Sequence, residues 1–347
     1  MSLDQADPRL ALNKAFAHVA ELRSQADLAG VVAPVERWVA VVRHLMRRYG
    51  DVGTPPSLEG IRIRPVVAGG VPAEWVQAEE ASDAHRLVYL HGGAWAGGDA
   101  KGYRGMTSTL ARLTGSSVLV VNYRLAPEHR FPAGLDDCIA ALAWAGVNGP
   151  SAVGNADEVG RDPAAQVTLA GDSAGGNLAA AAVIDAICEG RRIPDRLALM
   201  SATLDNLPYP NRVGANDAII TPGSLATSLA NYMSQRDVAY NPRISPVFAD
   251  NAVLARFPPT LLQASSIETL VYDAHKFAER LEQAGARSVL SIWPDLPHAW
   301  HAFLGLFPQA LEALQEVADF LRPRPRSQWG CGLLERSLNF SSQRIRG

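Results

Sequence analysis

Gly171-Asp172-Ser173-Ala174-Gly175 is the stretch whose reading decides the fold: the largely apolar run Val167 to Ala170 enters it, and an alanine-rich helical stretch follows. A serine between two glycines at a strand-to-helix turn is a nucleophile elbow. Its strained backbone projects the hydroxyl from the sheet edge, and only small neighbours let the helix close behind it. Ser173 is therefore the leading candidate for a covalent catalyst. Ordinary glycine-rich turns produce the same pattern, so its meaning depends on what the rest of the chain supplies.

Outward from the elbow, apolar β-rich runs alternate with helical stretches. The runs are Leu87 to Leu90, Val118 to Val121, Val167 to Ala170, Leu197 to Ala202, Thr260 to Gln263 and Val289 to Trp293. Strands that are apolar on both faces and separated by helices predict an α/β architecture, a mostly parallel sheet covered on each side. Helices are expected over Pro132 to Ala145, Asn177 to Glu189, Val271 to Ala284 and Gln309 to Leu321, several of them ending at glycine. Two extended segments, Ile61 to Val67 and Glu74 to Ala78, precede the first core strand. Before them, Leu10 to Leu22 and Val35 to Met46 have the spacing of two amphipathic helices. The expected division is a helical cap over residues 1–55, a catalytic body over 56–322 and a tail of no assigned role over 323–347. The proline-rich excursion 204–258, with a helical patch near Ser224 to Met233, is expected to help roof the site.

Composition narrows the function. In 347 residues, 48% hydrophobic content supports a substantial core, and a formal net charge of −3 offers no basic face to nucleic acid. Cys138, Cys188 and Cys331 are widely spaced, without a C-x-x-C pair, as expected of isolated thiols in a reducing, cytoplasmic setting. No apolar run approaches membrane-spanning length, so no stable membrane insertion is expected. The sequence leaves room for a homodimer and implies no metal or cofactor.

A serine hydroxyl near neutral pH needs a base to take its proton and a carboxylate to steady that base once charged. On a sheet of this kind the acid follows the penultimate strand and the histidine the last one. Glu268, in Ala264-Ser265-Ser266-Ile267-Glu268-Thr269-Leu270, and His298, in Pro294-Asp295-Leu296-Pro297-His298, fall there. Asp273 and Asp295 are the rival acids, with a helix-start role and an Asx-type turn as their alternative readings. His301 is the rival base, although the loop position favours His298. Oxyanion donors are expected from His91-Gly92-Gly93, directly after Leu87 to Leu90: the bare amides of Gly92 and Gly93, joined by the amide of Ala174. The alternative for these glycines is a phosphate-cradling loop, but Asp99 stands after Gly97-Gly98 where a P-loop has lysine and a hydroxyl residue. His91 itself reads as a brace for the loop.

These residues resemble the hormone-sensitive-lipase-like branch of the α/β-hydrolases, bacterial esterases with H-G-G and G-D-S-A-G-G motifs. The similarity takes in His91-Gly92-Gly93, Asn122 to Glu128, Phe131-Pro132-Ala133, Asp136-Asp137, Gly171 to Asn177, Ser245-Pro246 and Pro258 to Thr260. It implies an α/β-hydrolase fold with a helical cap and cofactor-free hydrolysis of short- to medium-chain carboxylic esters through an acyl-serine. Lactones, amides and carbamates suit the same machinery. A small-molecule receptor on this fold would be expected to lose the base, and His298 is present. The resemblance also implies that Tyr123, Arg124, Glu128 and Asp136 knit loops together. The family more often has aspartate followed by proline and leucine where this chain has Glu268-Thr269-Leu270. Trp38, Trp95, Leu207 and Tyr209 are the candidates for the walls of a substrate pocket, and Phe16, Leu45, Tyr49 and Met233 are further apolar residues of the same segments.

Overall fold

Strands that can bury both faces occupy the middle of the sheet, and those that cannot occupy its edges. In the computed structural model β1 (Ile61–Ala68), β2 (Val71–Ala78), β3 (Ser82–Leu90), β4 (Ser116–Val121), β5 (Gln166–Asp172), β6 (Arg196–Met200), β7 (Thr260–Ser265) and β8 (Ser288–Trp293) form one sheet. Their order is β1-β2-β4-β3-β5-β6-β7-β8. β2 runs antiparallel to β1 and β4, and every other pairing is parallel. β4, β6 and β7 are buried along their whole length. β1, which carries Pro65, and β8 are half-exposed edges, where a proline costs no ladder bond inside the sheet.

The structure describes residues 34–48, 56–151, 162–207, 222–234 and 239–322, with residues 13, 17, 20, 21, 217, 219 and 220. Most of the first expected helix, the tail 323–347, Phe16, Tyr49 and Tyr209 lie outside that set. The second expected helix is α1 (Pro34–Arg48).

Alternation along the strands divides the core in two. Val88, Leu90, Leu119, Val121, Leu169, Leu197 and Leu262 point to one face, where α3 (Ala133–Ala145), α4 (Ser173–Cys188) and α7 (Val271–Gln283) pack. Leu87, Tyr89, Val118, Val120, Ala198 and Leu261 point to the other, covered by α2 (Arg104–Thr114) and α8 (Pro308–Leu321). The period of two thus produces the doubly covered sheet expected from the sequence. α5 (Pro222–Tyr232) lies in the proline-rich excursion, and the single turn α6 (Asn251–Leu254) follows it.

Two elements differ from the pattern read in the sequence. α2 was not among the expected helices: Thr107, Ser108 and Thr109 obscure its apolar stripe, yet each hydroxyl donates to a carbonyl one turn back, at 2.9–3.0 Å. Those bonds let buried hydroxyl residues sit inside a helix. α4 begins at Ser173, four residues before the expected start at Asn177, so the serine stands at the helix N-terminus.

Candidate active site

Ser173 has φ +52°, a left-handed conformation that a side-chain-bearing residue adopts only when its surroundings impose it. The glycines explain how. A Cβ on Gly175 would run into the carbonyls of Leu90 and His91, and one on Gly176 would come to 2.6 Å from the Ala202 side chain. Behind the elbow, Asn177 donates from Nδ2 to the carbonyls of Thr203 (3.0 Å) and Ile244 (2.7 Å), fixing α4 against two loops.

The side chains expected from three separate strands meet here. His298 Nε2 lies 3.0 Å from Ser173 Oγ, and His298 Nδ1 lies 2.8 Å from Glu268 Oε2. A carboxylate accepts, so Nδ1 carries the proton and Nε2 is free to accept from the serine. Glu268 is fully buried, and its Oε1 accepts from the Ser265 amide at 2.8 Å, which holds the carboxylate in place. Burial opposes a charge on His298, but the bond and charge of Glu268 outweigh it, with Asp217 and Asp172 adding to them. The imidazole pKa is raised above its ordinary 6.5.

The rivals are engaged elsewhere. Asp273 Oδ2 accepts from the amides of Leu204 (2.8 Å) and Asp205 (2.9 Å), pinning the loop after β6. Asp295 is exposed at a left-handed turn, where its amide donates to Ser266 Oγ at 3.1 Å. His301 is buried and donates from Nε2 to Gln263 Oε1 at 2.9 Å, and burial lowers its pKa to about 3. His91, also buried, donates from Nδ1 to the Gly92 carbonyl (2.8 Å) and stacks on Tyr123 with ring centroids 4.3 Å apart. Burial lowers its pKa to about 4, leaving a neutral brace.

One expected oxyanion donor is corrected. The Gly92 amide points at Asp172 Oδ1 (2.9 Å) and the Tyr103 hydroxyl (3.0 Å), and is thereby spent. Asp172 also accepts from Tyr89 (2.7 Å) and Tyr103 (2.9 Å), a buried knot tying the elbow to the glycine loop. Burial raises its carboxyl pKa against the pull of these donors. The loop amides beside the serine are those of Gly93 (φ +116°) and Ala94 (φ +55°), both of which line the cavity at Ser173. Among the described residues no acceptor is paired with them or with the Ala174 amide at the start of α4.

The cavity holds about 320 Å³, at the small end of the ~300–1,000 Å³ usual for small-molecule sites. Trp38, Val41, Val42, Leu45 and Met46 of α1 form one wall, and Ile219, Ile220, Ser224 and Ser228 form the other. Trp38 and Leu45 are therefore at the site. Trp95 is not: it is buried and stacked on Tyr232 with centroids 4.4 Å apart. Leu207 and Met233 are half-buried and also absent from the lining. Ile219 and Ile220 carried no sequence signal, because no periodic element contains them.

Of the residues implied as loop braces, Arg124 grips Asp137 through Nε (2.9 Å) and Nη2 (2.7 Å), and Tyr123 donates to the His91 carbonyl at 2.7 Å. Asp136 meets Arg243 at 3.1 Å. Glu128 reaches farther, accepting from Arg43 of α1 at 2.9 and 2.6 Å, while Arg43 Nε donates to the Ala96 carbonyl at 2.9 Å. That clamp fastens α1 to the glycine loop.

A mostly parallel eight-stranded sheet with serine, glutamate and histidine at the carboxyl ends of its strands defines an α/β-hydrolase. The family model described as the α/β-hydrolase fold matches residues 87–302, and the chain belongs to that family. Its place is in the hormone-sensitive-lipase-like branch. An esterase of the bacterial hormone-sensitive lipase family superposes with TM-score 0.72 at 30% identity, covering 89% of this chain and 97% of that one. An acetyl-hydrolase of Streptomyces hygroscopicus is 31% identical over 79% of this chain and 85% of its own. An esterase of Acinetobacter venetianus is 30% identical over 76% and 83%.

Proposed function

We propose that the chain is a serine carboxylesterase acting on small carboxylic esters, as its similarity to proteins named esterase and acetyl-hydrolase supports. The carrying observation is the unbroken hydrogen-bonded line Glu268–His298–Ser173 at the mouth of an apolar cavity. Ser173 Oγ attacks the ester carbonyl as His298 Nε2 takes its proton, and Glu268 stabilises the imidazolium. The amides of Gly93, Ala94 and Ala174 receive the oxyanion, each such donor being worth about 3 kcal/mol. His298 then returns the proton to the leaving alcohol, giving an acyl-Ser173. Water, deprotonated by His298, attacks that acyl group, and collapse of the second tetrahedral intermediate releases the acid and restores the serine. Every step uses groups of this chain, so the mechanism calls for no cofactor.

The small apolar cavity supports short- to medium-chain esters. The walls supplied by α1 and by Ile219, Ile220, Ser224 and Ser228 support reading residues 1–55 as a cap and 204–258 as part of the roof. Among the described residues no helix is long and apolar enough to cross a membrane. The free thiols of Cys138 and Cys188 support a cytoplasmic placement.

Ser173→Ala is expected to lower kcat on p-nitrophenyl butyrate by about 10⁴–10⁶, with unchanged thermal unfolding and loss of labelling by a fluorophosphonate. A folded variant with undiminished turnover would remove Ser173 from the mechanism.

A further inference from the structure

The residue after Glu268 joins the reacting end of the molecule to the cavity wall. Thr269 donates its amide to Asp217 Oδ2 at 2.9 Å and its hydroxyl to the Ile220 carbonyl at 2.9 Å. Asp217 closes the other side of the connection: its Oδ1 accepts from the amides of Ile219 (3.0 Å) and Ile220 (2.8 Å), which ties both isoleucines to the carboxylate. Two hydrogen bonds thus join position 269 to Asp217 and Ile220, two more tie Asp217 to Ile219 and Ile220, and both isoleucines line the cavity together with Ser173 and His298. Three of the four are charge-assisted bonds from backbone amides to a carboxylate, a stronger class than neutral ones. Thr269 is buried, so its two donors have no water to turn to if the acceptors leave. A proline at 269 would supply neither donor.

We propose that Asp217 and Thr269 form a latch that sets the distance of the Ile219–Ile220 wall from Ser173, and with it the length of ester arm the site accepts. This rests on the esterase reading. Both are positioning residues. Neither lines the cavity; they set the wall through the two isoleucines, with the turn carrying Glu268 as the fixed anchor, and the charge of Asp217 is also felt by His298. Because Glu268 is itself held by the Ser265 amide and by His298, the latch references the wall to the catalytic groups. The wall is then a ruler whose zero is the triad acid.

The test is a ladder of p-nitrophenyl esters from acetate to decanoate. Asp217→Asn keeps one acceptor for the isoleucine turn but sets an NH₂ against the Thr269 amide. Thr269→Val keeps the amide and removes the hydroxyl. Thr269→Ser keeps both donors. The expected result is a ratio of kcat/KM for octanoate over acetate that rises about fivefold or more in Asp217→Asn and about twofold in Thr269→Val, carried by KM, and that returns to the wild-type value in Thr269→Ser. A ratio that stays or falls in Asp217→Asn, or activity lost in parallel on every ester, overturns the latch. If Asp217→Asn does not fold, Thr269→Val decides by the same ratio. Wild-type protein inert on the whole ladder would instead sink the esterase reading. The latch would then be judged by amide hydrogen exchange at Thr269, where faster exchange in Asp217→Asn supports it and unchanged exchange overturns it.

Discussion

Ser173, Glu268 and His298 stand at the carboxyl ends of β5, β7 and β8 among fully buried neighbours, whereas α1, one wall of the cavity, is pinned by Arg43, whose side chain is 30% exposed and whose partner Glu128 is 53% exposed. The floor is fixed by backbone: an elbow with φ +52°, glycines that admit no side chain, and a carboxylate held by a main-chain amide. The α1 wall is fixed by side chains over an apolar face. Floor geometry cannot relax without unfolding its strands, whereas a wall clamped through the half-exposed Arg43 can shift by a fraction of an ångström at little cost. The hydrogen-bonded line of the site therefore sits in the part that cannot move, and α1 is the part that can.

Three measurements would break or sharpen that contrast. The largest effect is expected at the floor, where Glu268→Ala removes the group that orients and charge-stabilises His298. On p-nitrophenyl acetate kcat should drop by about 10³–10⁴. A loss under about tenfold would mean that the imidazole is held by something other than Glu268. Second is pH. His298 must be neutral to act as base, and its pKa lies above the ordinary 6.5. Protonation therefore removes the active form as pH falls through that raised value, and kcat/KM should fall about tenfold per unit below a midpoint higher than 6.5. A midpoint at or under 6 would contradict the field of Glu268, Asp217 and Asp172. The smallest effect belongs to the wall. Arg43→Leu breaks a solvent-screened pair worth at most about 1 kcal/mol together with the bond to the Ala96 carbonyl, worth about as much, so KM should rise by no more than about thirtyfold with kcat nearly unchanged. A kcat loss comparable to that of Glu268→Ala would show that α1 belongs to the floor after all.

Much of the floor was legible in the sequence, and the walls much less so. Ser173, Glu268 and His298 could be placed because each follows an apolar run, and the order of runs along the chain dictates which loops share the sheet's carboxyl edge. α2 escaped notice because its hydroxyl residues interrupt the apolar stripe, and only the bonds back to its own carbonyls reconcile them with burial. Trp95 illustrates the opposite error. A large aromatic after the glycine pair suggests a pocket, yet its ring is used to pack on Tyr232.

The sequence by itself determined the doubly covered sheet, the elbow and the order of Ser173, Glu268 and His298 along it, because strand periodicity and turn chemistry are local properties. Only the tertiary structure decided that the Gly92 amide belongs to Asp172 while, among the described residues, those of Gly93 and Ala94 meet no acceptor, and that Asp217 reaches Thr269 across 52 positions. A backbone donor looks the same at every residue of a sequence. Which acceptor it meets depends on segments far apart in the chain, and folding alone brings those together.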